Sequence, residues 1–272
     1  MAALNQVFNI ALHKEGLSTY VKNFDFSQAG LHPSLMNVKD DTQDDFLHLD
    51  LAPAFGKLTS ESIKQMDDEL KVMISGTMRT LKKARAAARG PLDWETIVSV
   101  LMQNTLLEPF DAEIVHDDKL IKENTNFFKF NGEPDQGVVE EVNSWFINLI
   151  NDEDVLNSTH IDIGVMARIV AQTGASITSI ETAIYKVAEH TKRLVDIGVL
   201  RFPDPQHPYF KVYRIQLKAW SHCERITGLQ FDKNGIVGNY AARKFRPRKA
   251  VIQKMQESVM KKAVAEAEAI FD

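Results

Sequence analysis

Between Ser158 and Trp220 the apolar residues change their period, and this change constrains the fold more than any other feature of the chain. Ile163, Met166, Ala167, Ile169 and Val170 recur at helical spacing and stop at Thr173-Gly174. A second helical run starts at Ser176 to Ser179 and carries Ile180, Ala183, Ile184, Val187, Thr191, Leu194 and Val195 up to Ile197-Gly198. Glycine suits the left-handed residue that ends a helix. Val199-Leu200-Arg201-Phe202 then reads as a short strand, Pro203 to Pro208 as a loop with three prolines, and Tyr209 to Leu217 as a second strand carrying Phe210, Val212, Ile215 and Leu217.

Helices followed by a hairpin is the order of a winged helix. The segment from Val187 to Leu200 resembles the recognition helix and following strand of that superfamily, with Leu194 packing inward and Gly198 turning the chain. The resemblance implies a fold that is mainly α with small β hairpins. It divides the chain into a mainly helical domain over residues 1–154, a winged-helix domain over 155–238, and a basic segment with a C-terminal helix over 239–272. With DNA as partner, the exposed side of the recognition helix would offer Thr182, Tyr185, Lys186, Glu189, His190, Lys192 and Arg193 to a major groove, where polar side chains meet base edges. His207 in the wing loop, with Lys211 and Arg214 on its strand, would follow phosphates. The same polar residues also fit the solvated face of an amphipathic helix.

The N-terminal half gives further helices. Ile63, Met66, Leu70, Met73, Ile74, Met78 and Leu81 form one stripe within Thr59 to Arg89, with Ser60 as N-cap and Gly90-Pro91 as terminator. Trp94, Ile97, Val98, Leu101 and Met102 mark a second helix, and Val138, Val142, Trp145, Phe146 and Leu149 a third. The stretch from Asp111 to Glu133 is expected to hold a hairpin, and Asp232-Lys233-Asn234-Gly235 a tight turn between short strands, since Asn-Gly is a strong hairpin signal.

The net charge of −5 and the isoelectric point near 5.9 give the whole molecule no long-range attraction for a polyanion, so any such contact must be local. Two basic patches qualify: Lys71 to Arg89, and the run from Ala241 to Lys262. In the second, Arg243, Lys244, Arg246, Arg248 and Lys249 interleave with Tyr240 and Phe245, a composition suited to phosphate neutralisation with base stacking. Val251 to Phe271 is an Ala-, Lys- and Glu-rich amphipathic helix and a candidate homo-oligomer contact.

Signals for catalysis are absent from the sequence. There is no phosphate-cradling glycine loop, the histidines show no helical zinc-site spacing, and the single cysteine, Cys223, excludes an intramolecular disulfide or a multi-cysteine zinc site. No catalytic residue, metal ligand or cofactor is expected. No membrane span or signal peptide is legible, which suits a cytoplasmic or nuclear protein in a reducing compartment. The resulting expectation is a non-enzymatic DNA-binding protein, a replication initiator or transcription regulator, with DNA preferred to RNA. The alternatives are a winged-helix interaction scaffold or a viral nucleoprotein holding single-stranded RNA.

Overall fold

A computed structural model describes residues 43–88, 90–127, 134–172, 185–226, 229–248 and 262. The elements run β1 (Gln43–Leu51), a 3-10 turn (Pro53–Phe55), α1 (Glu61–Ala87), α2 (Trp94–Met102), β2 (Leu107–Phe127), α3 (Gln136–Ile150), α4 (Glu153–Ser158), α5 (Ile163–Ala171), β3 (Tyr185–Phe202), β4 (Tyr209–Ile226) and β5 (Leu229–Pro247). The strands form one sheet in the order β1-β3-β4-β5-β2, with β1 parallel to β3 and every other pair antiparallel.

Helices cover both faces of this sheet. On one side α1 and α2 bury Leu70, Ile74, Met78, Leu81, Ile97 and Leu101 against Val195, Ile197, Val199, Phe210, Val212 and Phe245. On the other, α3, α4 and α5 bury Val142, Phe146, Leu149, Val155, Met166 and Val170 against Leu194, Leu200, Tyr213, Ile215, Leu217, Ile236 and Tyr240. Each fully buried side chain of this size contributes about 1.5–3 kcal/mol, so both layers are strongly held. A buried ion pair, Arg201 Nη1 to Asp67 Oδ2 at 2.9 Å, ties β3 to α1.

The expectation of a mainly α fold is corrected by this five-stranded mixed sheet. The helix expected through Val187 to Ile197 is instead strand from Tyr185 onward, and residues 173–184, including the expected start of that helix, lie outside the described residues. The physical reason is burial on both faces. A strand covered on one face alternates apolar and polar residues, whereas one covered on both reads as a near-continuous apolar run that also satisfies helical spacing. Leu194, Val195, Ile197, Val199 and Leu200 are such a run. The hairpin expected at Val199 to Leu217 does form, as the closed end of a much longer β3–β4 pair.

Two glycines read as turn signals serve a different purpose. Gly198 does not end a helix; it faces Tyr213 across the β3–β4 pair, and a Cβ there would lie 2.3 Å from the Tyr213 ring. Asn234-Gly235 does not turn the chain; both lie inside β5, where Gly235 faces Trp220 and a Cβ would lie 2.5 Å from the indole. In both cases the missing side chain lets a cross-strand aromatic lie over the backbone. The hairpin expected between Asp111 and Glu133 is likewise absent from the described part of that stretch, because β2 runs unbroken to Phe127 past an irregularity at Asp111, whose φ is 66°.

Helix α1 follows the expected stripe, with the Ser60 hydroxyl accepting from the Ile63 amide at 3.3 Å. Helices α2 and α3 also lie where their periodicity places them, and both are capped by aspartates, Asp93 and Asp135. The amphipathic helix expected over Val251 to Phe271 falls outside the described residues apart from Lys262, which is helical. Among the described residues no helix is long and apolar enough to cross a membrane.

Candidate metal centre

Strand alternation decides what β1 presents. Leu47 and Leu49 point to the α1–α2 layer, and so Phe46, His48 and Asp50 point to the α3–α5 layer. The connection from α4 to α5 runs over the same region and carries Thr159 and His160. One ring nitrogen each from His48 and His160 and one carboxylate oxygen from Asp50 lie within 4.8 Å of one another. Two imidazoles and a carboxylate are the donors that divalent transition ions such as zinc or iron take.

Beneath these residues lies Asp196 of β3, with 0 % of its surface exposed. Its Oδ2 accepts from the Thr159 hydroxyl at 2.6 Å, the His160 amide at 3.0 Å and the Tyr213 hydroxyl at 3.3 Å. Its Oδ1 lies 3.1 Å from His48 Nδ1, and neither of these two buried atoms has a hydrogen-bonding partner among the described residues. A fully buried carboxylate is costly unless positive charge or donors surround it. His48 Nε2 lies 3.6 Å from Asp50 Oδ2 and 2.9 Å from the Tyr213 hydroxyl. A carboxylate behind an imidazole that orients it toward an ion is the usual second layer of a metal site.

Tyr213 completes the floor. Its ring lies over Gly198, which is what lets its hydroxyl reach both His48 and Asp196. Burial, reinforced by the Asp196 charge, pushes this phenol well above the usual tyrosine range. The two imidazoles are stacked, with ring centres 4.0 Å apart and planes 20° from parallel. An ion bonds in the plane of each ring, so joint coordination requires His160 to turn out of the stack. Its side chain is exposed, and its amide is anchored on Asp196.

The residues expected to contact nucleic acid are not gathered on one surface. A strand sends successive residues to opposite faces, so the recognition-helix set is divided. Glu189 pairs with His222 at 3.2 Å, Lys192 with Asp44 at 2.9 Å on the opposite face, and His190 is half-buried, its imidazole held below the usual range by burial. Tyr185 and Lys186 are described only as backbone of β3, and Thr182 and Lys249 lie outside the described residues. Lys211 is buried against Asp152 at 2.6 Å, Arg214 donates to the Leu92 carbonyl, and His207 sits in the β3–β4 loop, its amide bonded to Asp204. The basic run along β5 and Arg248 just after it are paired with acids of β2: Arg243 with Glu113, Lys244 with Asp111, and Arg246 and Arg248 both with Glu108. Arg193 lines an open groove on the α1–α2 side of the sheet.

Sequence reasoning looked for histidines paired on a helix and missed this centre. The one local signal was His48-x-Asp50, whose spacing puts both side chains on one face only if the segment is a strand. No family model matches the chain, and no curated protein matches it.

Proposed function

We propose that the chain is a metal-binding protein, in which His48, Asp50 and His160 take one divalent transition ion of the zinc type. The observation that carries this reading is the convergence of two imidazoles and a carboxylate over Asp196, a buried carboxylate positioned behind His48. Three protein ligands leave a fourth tetrahedral position for water or a ligand, and Asp50 and His160 open that side to solvent. The site would also fasten β1, which occupies a sheet edge, to the α4–α5 connection.

The competing structural role is an ion-pair network in which a proton on His48 replaces the metal. Titration of metal-free protein with zinc, read by calorimetry and by competition with a chromophoric chelator, separates the two. One ion per chain with micromolar or tighter affinity is expected. His48→Ala and Asp50→Ala should each abolish that stoichiometric binding, and Asp196→Asn should weaken it about 10–100-fold, as loss of an outer-layer partner does. Equal zinc uptake by the native chain and His48→Ala would refute the assignment.

A further inference from the structure

Strand β2 forms one edge of the sheet, with β5 on its inner side and no strand on its outer side among the described residues. An edge strand offers a row of backbone N–H and C=O groups to any further strand, and folded proteins blunt such edges with charge, proline or a bulge. Pro109 and the irregularity between Phe110 and Ile114 do this at the start of β2. From Ile114 to Phe127 its pairing with β5 is regular. Every side chain from Asp111 to Lys119 is exposed, and so is Ile121, which leaves Ile114, Val115 and Ile121 as large apolar groups open to solvent.

Alternation sorts these residues by face. Leu120 packs against the α3–α5 layer, so the opposite face of β2 presents Val115, Asp117, Lys119 and Ile121 in succession. The series is apolar, acid, base, apolar, and read backwards it is apolar, base, acid, apolar. A second copy of the strand, laid antiparallel along the outer edge about a two-fold axis at Asp118, therefore sets Asp117 opposite the partner's Lys119 and Val115 opposite the partner's Ile121, each pair occurring twice. Opposite charges and apolar pairs that face each other across strands are what stabilise a sheet. A slip of one residue would turn the faces over, and a slip of two would put Asp117 or Lys119 against its own copy. The Lys119 ammonium has no ion-pair partner among the described residues, and Asp117 accepts only from Asn239 Nδ2, at 2.8 Å.

Helix α3 leaves the approach clear. It lies over Gly238 of β5, where a Cβ would meet Leu149 and Trp145, one strand in from the edge. Its two copies would stand three strand spacings apart, about 14 Å, beyond the roughly 8–10 Å at which helices pack.

We infer that the chain forms a symmetric dimer through its β2 edges, joining two sheets into one continuous sheet. The partner is a second copy because the charge pattern of the edge complements itself. Asp118 alone meets its own copy, at the axis, and this contact holds the affinity to a moderate value. The His48 centre sits on β1, at the opposite edge of the sheet, so the dimer does not depend on a metal there.

Sedimentation equilibrium of the full chain, with and without EDTA, should show a reversible monomer–dimer equilibrium in the micromolar range that the chelator leaves unchanged. Lys119→Asp turns both charge pairs into repulsions and should weaken the dimer about tenfold or more, and adding Asp117→Lys exchanges the two charges and should restore it. All of these side chains are exposed, so the variants should keep the native circular dichroism spectrum. Asp118→Cys reads the register directly. It should form an interchain disulfide under mild oxidation, because facing antiparallel residues have Cα atoms about 4.5–5.5 Å apart, within disulfide range, whereas Val115→Cys, which faces the partner's Ile121, should not. A chain that stays monomeric, a dimer that EDTA dissociates, affinity unchanged in Lys119→Asp or unrestored in the double variant, or no disulfide in Asp118→Cys would each overturn the inference.

Discussion

Replacing Gly198 with alanine tests the central packing arrangement of the metal centre. The added Cβ would stand 2.3 Å from Cζ of Tyr213 and 2.4 Å from its Cε1 and hydroxyl oxygen, where carbon atoms at rest keep about 3.5–4.0 Å. The phenol must therefore move by more than an ångström in a site where it has no exposed surface. Overpacking of this kind costs about 1–3 kcal/mol. Displacement also loosens the hydroxyl's bonds to His48 and Asp196, at roughly 1 kcal/mol each. Against this, alanine restricts the unfolded chain and returns about 0.4–1 kcal/mol. The net loss is about 2–4 kcal/mol, a large part of a typical total stability of roughly 5–15 kcal/mol. At about 2–4 °C per kcal/mol for a chain of this size, the melting temperature should fall by roughly 5–15 °C. Urea and thermal denaturation of Gly198→Ala, Tyr213→Ala and the double variant give the decisive comparison. If the clash is the cause, adding Gly198→Ala to Tyr213→Ala should be neutral or slightly stabilising, and the coupling should exceed about 1 kcal/mol. Gly198→Ala destabilising both backgrounds equally would show that the tyrosine ring is not what requires the glycine.

Arg201→Met should destabilise the fold by about 3 kcal/mol, because it leaves Asp67 buried with only the partly exposed Lys71 beside it; Arg201→Met with Asp67→Leu should recover much of that loss in urea denaturation. Gly235→Ala should displace Trp220 and shift its emission, with no change at the His48 centre in a zinc titration. The Asp93 carboxylate is held below the usual range by Thr96, whose hydroxyl and amide both bond to it. Its contribution to stability is therefore complete above its unfolded value of about 3.9 and is lost as the pH falls through the lower folded value, so Asp93→Asn should flatten that acid limb in a urea midpoint series.

How far the sequence foretold these arrangements depended on how local their causes are. Helix α1 was legible because one face is buried and the cap at Ser60 lies beside the stripe it starts, so period and punctuation agree within one segment. Strand β3 was not legible, since helices cover both of its faces and erase the alternation that marks a strand. Its apolar positions then fit a helical template equally well. Gly198 and Asn234-Gly235 misled for a related reason. Both are turn formers by their own conformational preferences, yet each is explained by an aromatic on the neighbouring strand, which no window along the chain contains. The metal centre is harder still, because His48 and His160 meet only through the pairing of β1 with β3 and the path of the α4–α5 connection.

Strand β4 carries one large aromatic side chain to each face of the sheet. Tyr213 and Trp220 differ in parity along it, so they point to opposite faces, and each reaches across the backbone of a glycine on an adjoining strand, Gly198 on β3 and Gly235 on β5. The same device thus supplies a buried hydroxyl to the His48 centre on one face and places a partly buried indole on the other. A sheet separates them, with no side chain common to both. Removing the indole with Trp220→Leu should therefore leave the zinc affinity unchanged unless the strands themselves shift, since a coupling free energy needs groups that both positions bias. Measuring the zinc affinity of the native chain and of Trp220→Leu by chelator competition gives that coupling directly. A ratio near one is expected, and a change beyond about threefold would mean that β4 moves as a unit between two arrangements.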